Sequence, residues 1–281
     1  MLHKTLKLLA GAALLLPVLA VSAMAQDDPN IVFPSGNAKF TDGFESETVH
    51  VAGAGGGLST SIGVSAGGFG ATNVSPAVTN AVGLFWCTDL ADGLSLNYNY
   101  NQYPLTQSNP GAKYPSNPPS STQAAQITNI LYNQEANGSN ASALSKFTTG
   151  SANQSIWSAA TQMAIWAVLY DTSTTGYNIT QGSGQNFTVN NTTGDASTAI
   201  TDANTLLSCV ASGTSCPSGW GATPGTYGAS NFIPLTQGGS QSLALLTQGS
   251  GSQSAPEPSS LAMLAAALLG FALIRVRAAR R

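Results

Sequence analysis

Along residues 48–64 and 81–100 the chain alternates apolar and polar positions with the two-residue period of strands that bury one face. Thr48 to Val51 and the series Leu58, Thr60, Ile62 and Val64 read as two such strands, interrupted by the glycine run Gly53 to Gly57. Ala81 to Trp86 is instead a compact apolar run suited to a buried strand, while Leu94, Leu96, Tyr98 and Tyr100 alternate with Ser95, Asn97 and Asn99. Asp92-Gly93 lies between them as a turn signal. Ala81 to Tyr100 is therefore expected to form a hairpin, with Cys87 near the end of its first strand. Further strands are expected at Asn186 to Val189, Asn231 to Leu235 and Gln241 to Leu246.

The helical patterns fall between these runs. Tyr103 to Ser120 holds Pro104, Pro110, Pro115, Pro118 and Pro119, a loop that no regular element accommodates. Ser120 or Ser121 then caps a helix through Ala124, Ile127, Leu131 and Asn133, closed by Gly138, with a short helix expected from Ala141 to Phe147. Ser151 to Tyr170 is the strongest pattern in the chain. Ile156, Ala160, Met163, Ala167 and Tyr170 form one stripe, and Ala159, Gln162, Trp166 and Leu169 form a second beside it. A helix apolar over this much of its surface is largely buried, so Gln162 falls inside, where an unpartnered amide costs about 1–3 kcal/mol. Asp195 is expected to cap a last helix with Ile200, Ala203, Leu207 and Val210 on one face and Cys209 in its last turn. The pattern as a whole predicts an α+β fold, β-rich, with an antiparallel sheet or sandwich and a few packed helices.

Composition places this domain outside the cell. His3, Lys4 and Lys7, the apolar run Leu8 to Val21, and Ala23-Met24-Ala25 read as a signal peptide over residues 1–25. The body expected at 26–247 carries only Lys39, Lys113 and Lys146 as basic residues against eleven acids from Asp27 to Asp202, which excludes nucleic acid as a partner. Trp86, Trp157 and Trp166 give it a core that a disordered polar chain lacks. A Gly/Ser/Gln linker at 248–255 leads to Pro256-Glu257-Pro258, an apolar stretch from Leu261 to Ile274, and the tail Arg275, Arg277, Arg280 and Arg281. Residues 256–281 thus read as a sorting signal with a membrane helix whose basic end stays cytoplasmic.

An exported chain pairs its thiols, and this one has three cysteines. Cys209 and Cys216, close in sequence around a turn, are the natural disulfide, which leaves Cys87 over. Cys87 is then either an inert buried thiol or a nucleophile. Gln162 is likewise either a hydrogen-bonded core glutamine or the partner of that nucleophile. Competing catalytic sets are poor: His50 is the only histidine left after export, which speaks against a serine triad, and zinc lacks ligands. No cofactor is expected.

Two short motifs supply the resemblance. Phe85-Trp86-Cys87-Thr88-Asp89 and Thr161-Gln162-Met163-Ala164-Ile165-Trp166 are similar to the two halves of the thioester domain of bacterial surface adhesins. The glutamine half matches at Thr161, Gln162, Ala164 and Trp166. The cysteine half matches at Trp86, Cys87 and Asp89, with Thr88 in place of the usual aliphatic. Residues 256–258 with the helix and basic tail resemble the PEP-CTERM signal of Gram-negative exopolysaccharide producers, cut by an exosortase-type transpeptidase.

These resemblances imply an internal Cys87–Gln162 thioester in a pocket formed by Trp86, Asp89, Thr161, Ala164 and Trp166, with Thr161 and backbone N–H groups as donors to the oxyanion. They also imply covalent, non-enzymatic attachment to an amine or hydroxyl nucleophile on a surface protein or polysaccharide. The protein would be held in the inner membrane before processing and reside afterwards at the cell surface or in the extracellular matrix. The rival from another class is a non-covalent structural protein of that matrix, in which Cys87 and Gln162 are core residues.

Overall fold

Phe69 sits between two strands that a flat sheet would hold far apart, and this fixes the shape of the β-structure. The computed structural model describes residues 29–52, 61–78, 81–90, 92–108, 118–136, 154–171, 176–181, 183, 185–190, 193–212, 216, 227–235 and 240–248. Its larger sheet runs β4 (Asn73–Ser75), β1 (Asn30–Val32), β6 (Asn97–Pro104), β8 (Tyr227–Pro234), β9 (Leu243–Gln248) and β5 (Ala81–Cys87), all neighbours antiparallel. Phe69 pairs with Phe85 of β5, and Thr72 donates its N–H to Val32 of β1. Three extended residues reach about 11 Å, whereas β1 and β5 would lie about 19 Å apart if the sheet were flat. The sheet must therefore curl. Its inner face is filled by Phe33, Phe69, Phe85 and Phe232, which meet edge to face with ring centroids 5.4–6.0 Å apart.

The smaller sheet is β3 (Ser61–Ala66), β2 (Glu45–Val51) and β7 (Phe187–Val189), also antiparallel. His50 lies in β2, as its surroundings predict.

Among the described residues three α-helices pack on these sheets. Helix α1 (Ser121–Leu131) starts with a capping box: Ser120 Oγ accepts the Gln123 N–H and Gln123 Oε1 accepts the Ser120 N–H. It continues into a π-turn, Tyr132–Ala136. Helix α2 (Gln154–Tyr170) is buried on every side from Ile156 onward and packs against both other helices, β5 and all three strands of the smaller sheet. Helix α3 (Gly194–Ser212) begins one residue before the predicted cap, so Asp195 stands in its first turn, where its charge still suits the helix dipole. The predicted β-rich α+β class is the observed one.

The predicted hairpin does not form. β5 pairs with β9 and β6 pairs with β1 and β8, so two strands, β8 and β9, come between the two expected partners. Asp92-Gly93 does turn the chain, but Leu94 and Leu96 precede β6 rather than lying within it, and the Gly93 carbonyl accepts the Gln241 N–H instead. Local turn chemistry gave way to the burial of two strands from the far end of the chain. The expected signal peptide, the 141–147 helix, the linker and the sorting segment with its membrane helix lie outside the described residues. Among the described residues no helix is long and apolar enough to cross a membrane.

Candidate functional site

Cys87 closes β5, and β5 is the edge of its sheet. The pairing of Phe85 with Phe69, extended by two residues, would put Gly67 opposite Cys87. The chain bends away there instead: Gly67 packs against the Gly43 carbonyl, and the Gly68 N–H is taken by Ser158 Oγ of α2 at 2.9 Å. One turn further along α2, Gln162 fills the vacated place. Its Oε1 accepts the Cys87 N–H at 2.9 Å and its Nε2 donates to the Cys87 carbonyl at 2.8 Å, so a side-chain amide continues the strand ladder as a peptide group would. Sequence reasoning required a partner for a buried Gln162, and that partner is the backbone of Cys87.

The Cys87 thiol is free and buried. Sγ donates to the Asp89 carbonyl at 2.9 Å. Burial pushes the thiol pKa far above its ordinary value, and the Asp89 charge adds to the shift; the hydrogen bond to the Asp89 backbone and the Trp166 indole N–H act in the opposite sense. Trp166 Nε1 is buried and forms no other hydrogen bond. Cys87 is thus held as a thiol among Trp86, Trp166 and apolar neighbours, with little water to stabilise its thiolate.

The remaining predicted residues lie at the end of β5 and on α2. Ala164 and Thr161 are fully buried on α2, and Asp89 is buried just beyond β5. Thr161 Oγ1 donates to Gln134 Oε1 at 3.3 Å, so its proton is committed to the π-turn and not to Gln162. The donor lying against the Gln162 carbonyl oxygen is the Cys87 N–H itself. Tyr170 Oη accepts the Leu90 N–H at 2.8 Å and ties the chain after Asp89 to the end of α2. Cys209 and Cys216 are disulfide-bonded, as their spacing suggests. Among the described residues no three His, Cys, Asp or Glu side chains come together to hold a metal ion.

Sequence reading missed Glu135. It lies in the π-turn, and its Oε1 accepts the Trp86 indole N–H at 3.0 Å. The carboxylate also accepts the Leu84 N–H, and burial pushes it up to about 7 despite these two donors. Gln134 and Glu135 therefore touch both halves of the site, Thr161 beside Gln162 and Trp86 beside Cys87. The one sequence signal was Gly83, whose φ of +79° marks a bulge where a side chain would collide with the Glu135 carboxylate.

The thioester-domain family model matches residues 85–205, a span that contains both Cys87 and Gln162. Residues 85–205 are thus similar to a thioester domain. A second model, the PEP-CTERM protein-sorting motif, matches residues 254–278 and encloses Pro256-Glu257-Pro258. A thioester domain followed by that motif is the layout of an exported surface protein. Solved structures similar to it include the N-terminal domain of the Streptococcus pyogenes pilus tip adhesin Cpa, 14% identical over 78% of this chain and 98% of that one, with a TM-score of 0.38. Another is the N-terminal thioester domain of fibronectin-binding protein SfbI from Streptococcus pyogenes, 13% identical over 76% and 96% of the two chains, with a TM-score of 0.34. No curated protein sequence matches the chain.

Proposed function

We propose that Cys87 and Gln162 of this thioester domain form an internal thioester, and that the protein uses it to attach covalently to a neighbouring surface or polymer. In the forming step Cys87 Sγ bonds to the Gln162 side-chain carbon, the thiol proton passes to Nε2, and ammonia leaves. The Cys87 N–H supports the oxyanion from the position it already holds against Oε1. Proximity does much of the work, because the reciprocal amide–backbone pairing fixes the carboxamide against the one residue that must attack it. That pairing is the observation on which the proposal chiefly rests.

In the capture step an amine, or less readily a hydroxyl, attacks the acyl carbon. The carbon–sulfur bond breaks, the nucleophile's proton returns to sulfur, and an amide or ester to residue 162 remains. Each molecule reacts once, so the protein is a covalent adhesin and not an enzyme. An exosortase-type transpeptidase acting beside Pro256-Glu257-Pro258 would release the domain from an inner-membrane stage to the Gram-negative surface or its polysaccharide matrix.

The test is capture by methylamine followed by peptide mapping. The reading expects one methylamine on residue 162 with loss of the Gln162 amide nitrogen, and a Cys87→Ala variant that takes up none. Unmodified Gln162 in the wild type under these conditions contradicts it and leaves a passive matrix protein.

A further inference from the structure

The bulge in β5 is a built seat for a carboxylate. Val82 pairs with Leu246 and Trp86 with Ala244, so three residues of β5 oppose a single residue of β9. The extra residues turn the Leu84 N–H and the Trp86 indole N–H toward the π-turn, and Gly83 contributes an absent side chain and a positive φ. Glu135 fills this seat while remaining partly exposed, so it exchanges protons with water. Trp86 is completely buried and adjoins Cys87 along the strand.

We propose that Glu135 is a positioning residue for the thioester: seated in the β5 bulge it clamps Leu84 and Trp86, and its departure from the seat is the motion that lets a nucleophile reach Cys87 and Gln162. This inference rests on the thioester reading above. The direction of its pH dependence follows from linkage. Burial raises the seated carboxyl to about 7, above the ordinary glutamate value, so the seat favours the protonated form and ionisation favours release. Asp42, itself raised by burial, is the charged group that bears on Glu135, and its charge acts in the same direction. Helices α1 and α2 and strand β9 contribute no charged residue. The clamp therefore loosens as pH rises toward neutrality.

The experiment follows loss of the thioester by intact mass at constant free-base methylamine, from about pH 5 to about pH 8, in wild type, Glu135→Gln and Glu135→Ala. Capture by the wild type should accelerate at least about tenfold across this range and level off above neutrality. Glu135→Gln, which cannot ionise, should be flat, and Glu135→Ala should be flat and at least as fast as the wild-type plateau. Asp42 and Asp202 titrate in all three proteins, so only the Glu135 contribution differs. A Glu135→Gln profile that tracks the wild type overturns the clamp and leaves the thioester intact; it decides the matter even if Glu135→Ala is too unstable to purify. A wild type that never shows the loss of ammonia overturns both readings.

Discussion

Gln162 pairs with both backbone groups of Cys87 and so occupies the position along β5 that a neighbouring strand would otherwise hold. The side chain proposed to form the thioester is here also a structural one. Replacing Gln162 by alanine strands a buried N–H and a buried carbonyl at the edge of β5, at about 1–3 kcal/mol for each group. Neither Gln162→Ala nor Cys87→Ala can form the thioester, and only Gln162→Ala also loses the amide pairing, so thermal unfolding should show Gln162→Ala less stable than Cys87→Ala by a loss of this order. Equal losses would mean that the amide pairing contributes nothing.

Gly83→Ala tests the seat from the other side. The new methyl group meets the Glu135 carboxylate, and the positive φ strains any residue but glycine, at about 1–3 kcal/mol. Adding Glu135→Ala should recover the steric part and leave the backbone part. A double variant no more stable than Gly83→Ala alone would show that the two residues do not contact.

Stability should fall as pH rises through the weakly acidic range. Burial raises Glu135 to about 7 and Asp202 to about 6, so between the ordinary carboxylate range and neutrality the folded chain binds more protons than the unfolded one. The stabilisation is present at low pH and is lost as these groups ionise, on the order of 3 kcal/mol for Glu135. Melting temperature measured against pH should decline over this window, and Glu135→Gln should flatten most of the decline. A melting temperature that rises between the same limits would contradict the burial of these carboxyls.

The disulfide is a staple at the end of α3 and forms no part of the proposed thioester. Cys209 and Cys216 are seven residues apart, and in the chain-entropy model closing so short a loop contributes about 2–3 kcal/mol. The double serine variant should lose about that much stability and retain methylamine capture at Gln162. Loss of capture in a protein that remains folded would place the bridge in the reaction.

Much of this was legible in the chain because it is local. The capping Ser120, the buried stripes of α2, the strand runs ending at Cys87 and Val189, and the leftover Cys87 all follow from periodicity and residue type. The two motifs pointed at Cys87 and Gln162 because their chemistry needs a thiol and an amide in dry surroundings. What the sequence hid depends on partners distant along the chain. Asp92-Gly93 signalled a turn, and only the arrival of β8 and β9 made that turn something other than a hairpin. Glu135 carries no signal of its own, since nothing near it in sequence reveals that a bulge at Gly83 turns two donors toward it. Thr161, expected to serve the oxyanion, instead binds Gln134, a contact available only because a π-turn follows α1.

The central claim is that Cys87 and Gln162 are joined, and intact mass tests it most directly. Purified wild-type protein, compared with Cys87→Ala, should be lighter than its sequence mass by one ammonia, while the variant should match its own sequence mass. A wild type at full sequence mass, freshly prepared and without prior contact with nucleophiles, would contradict the account.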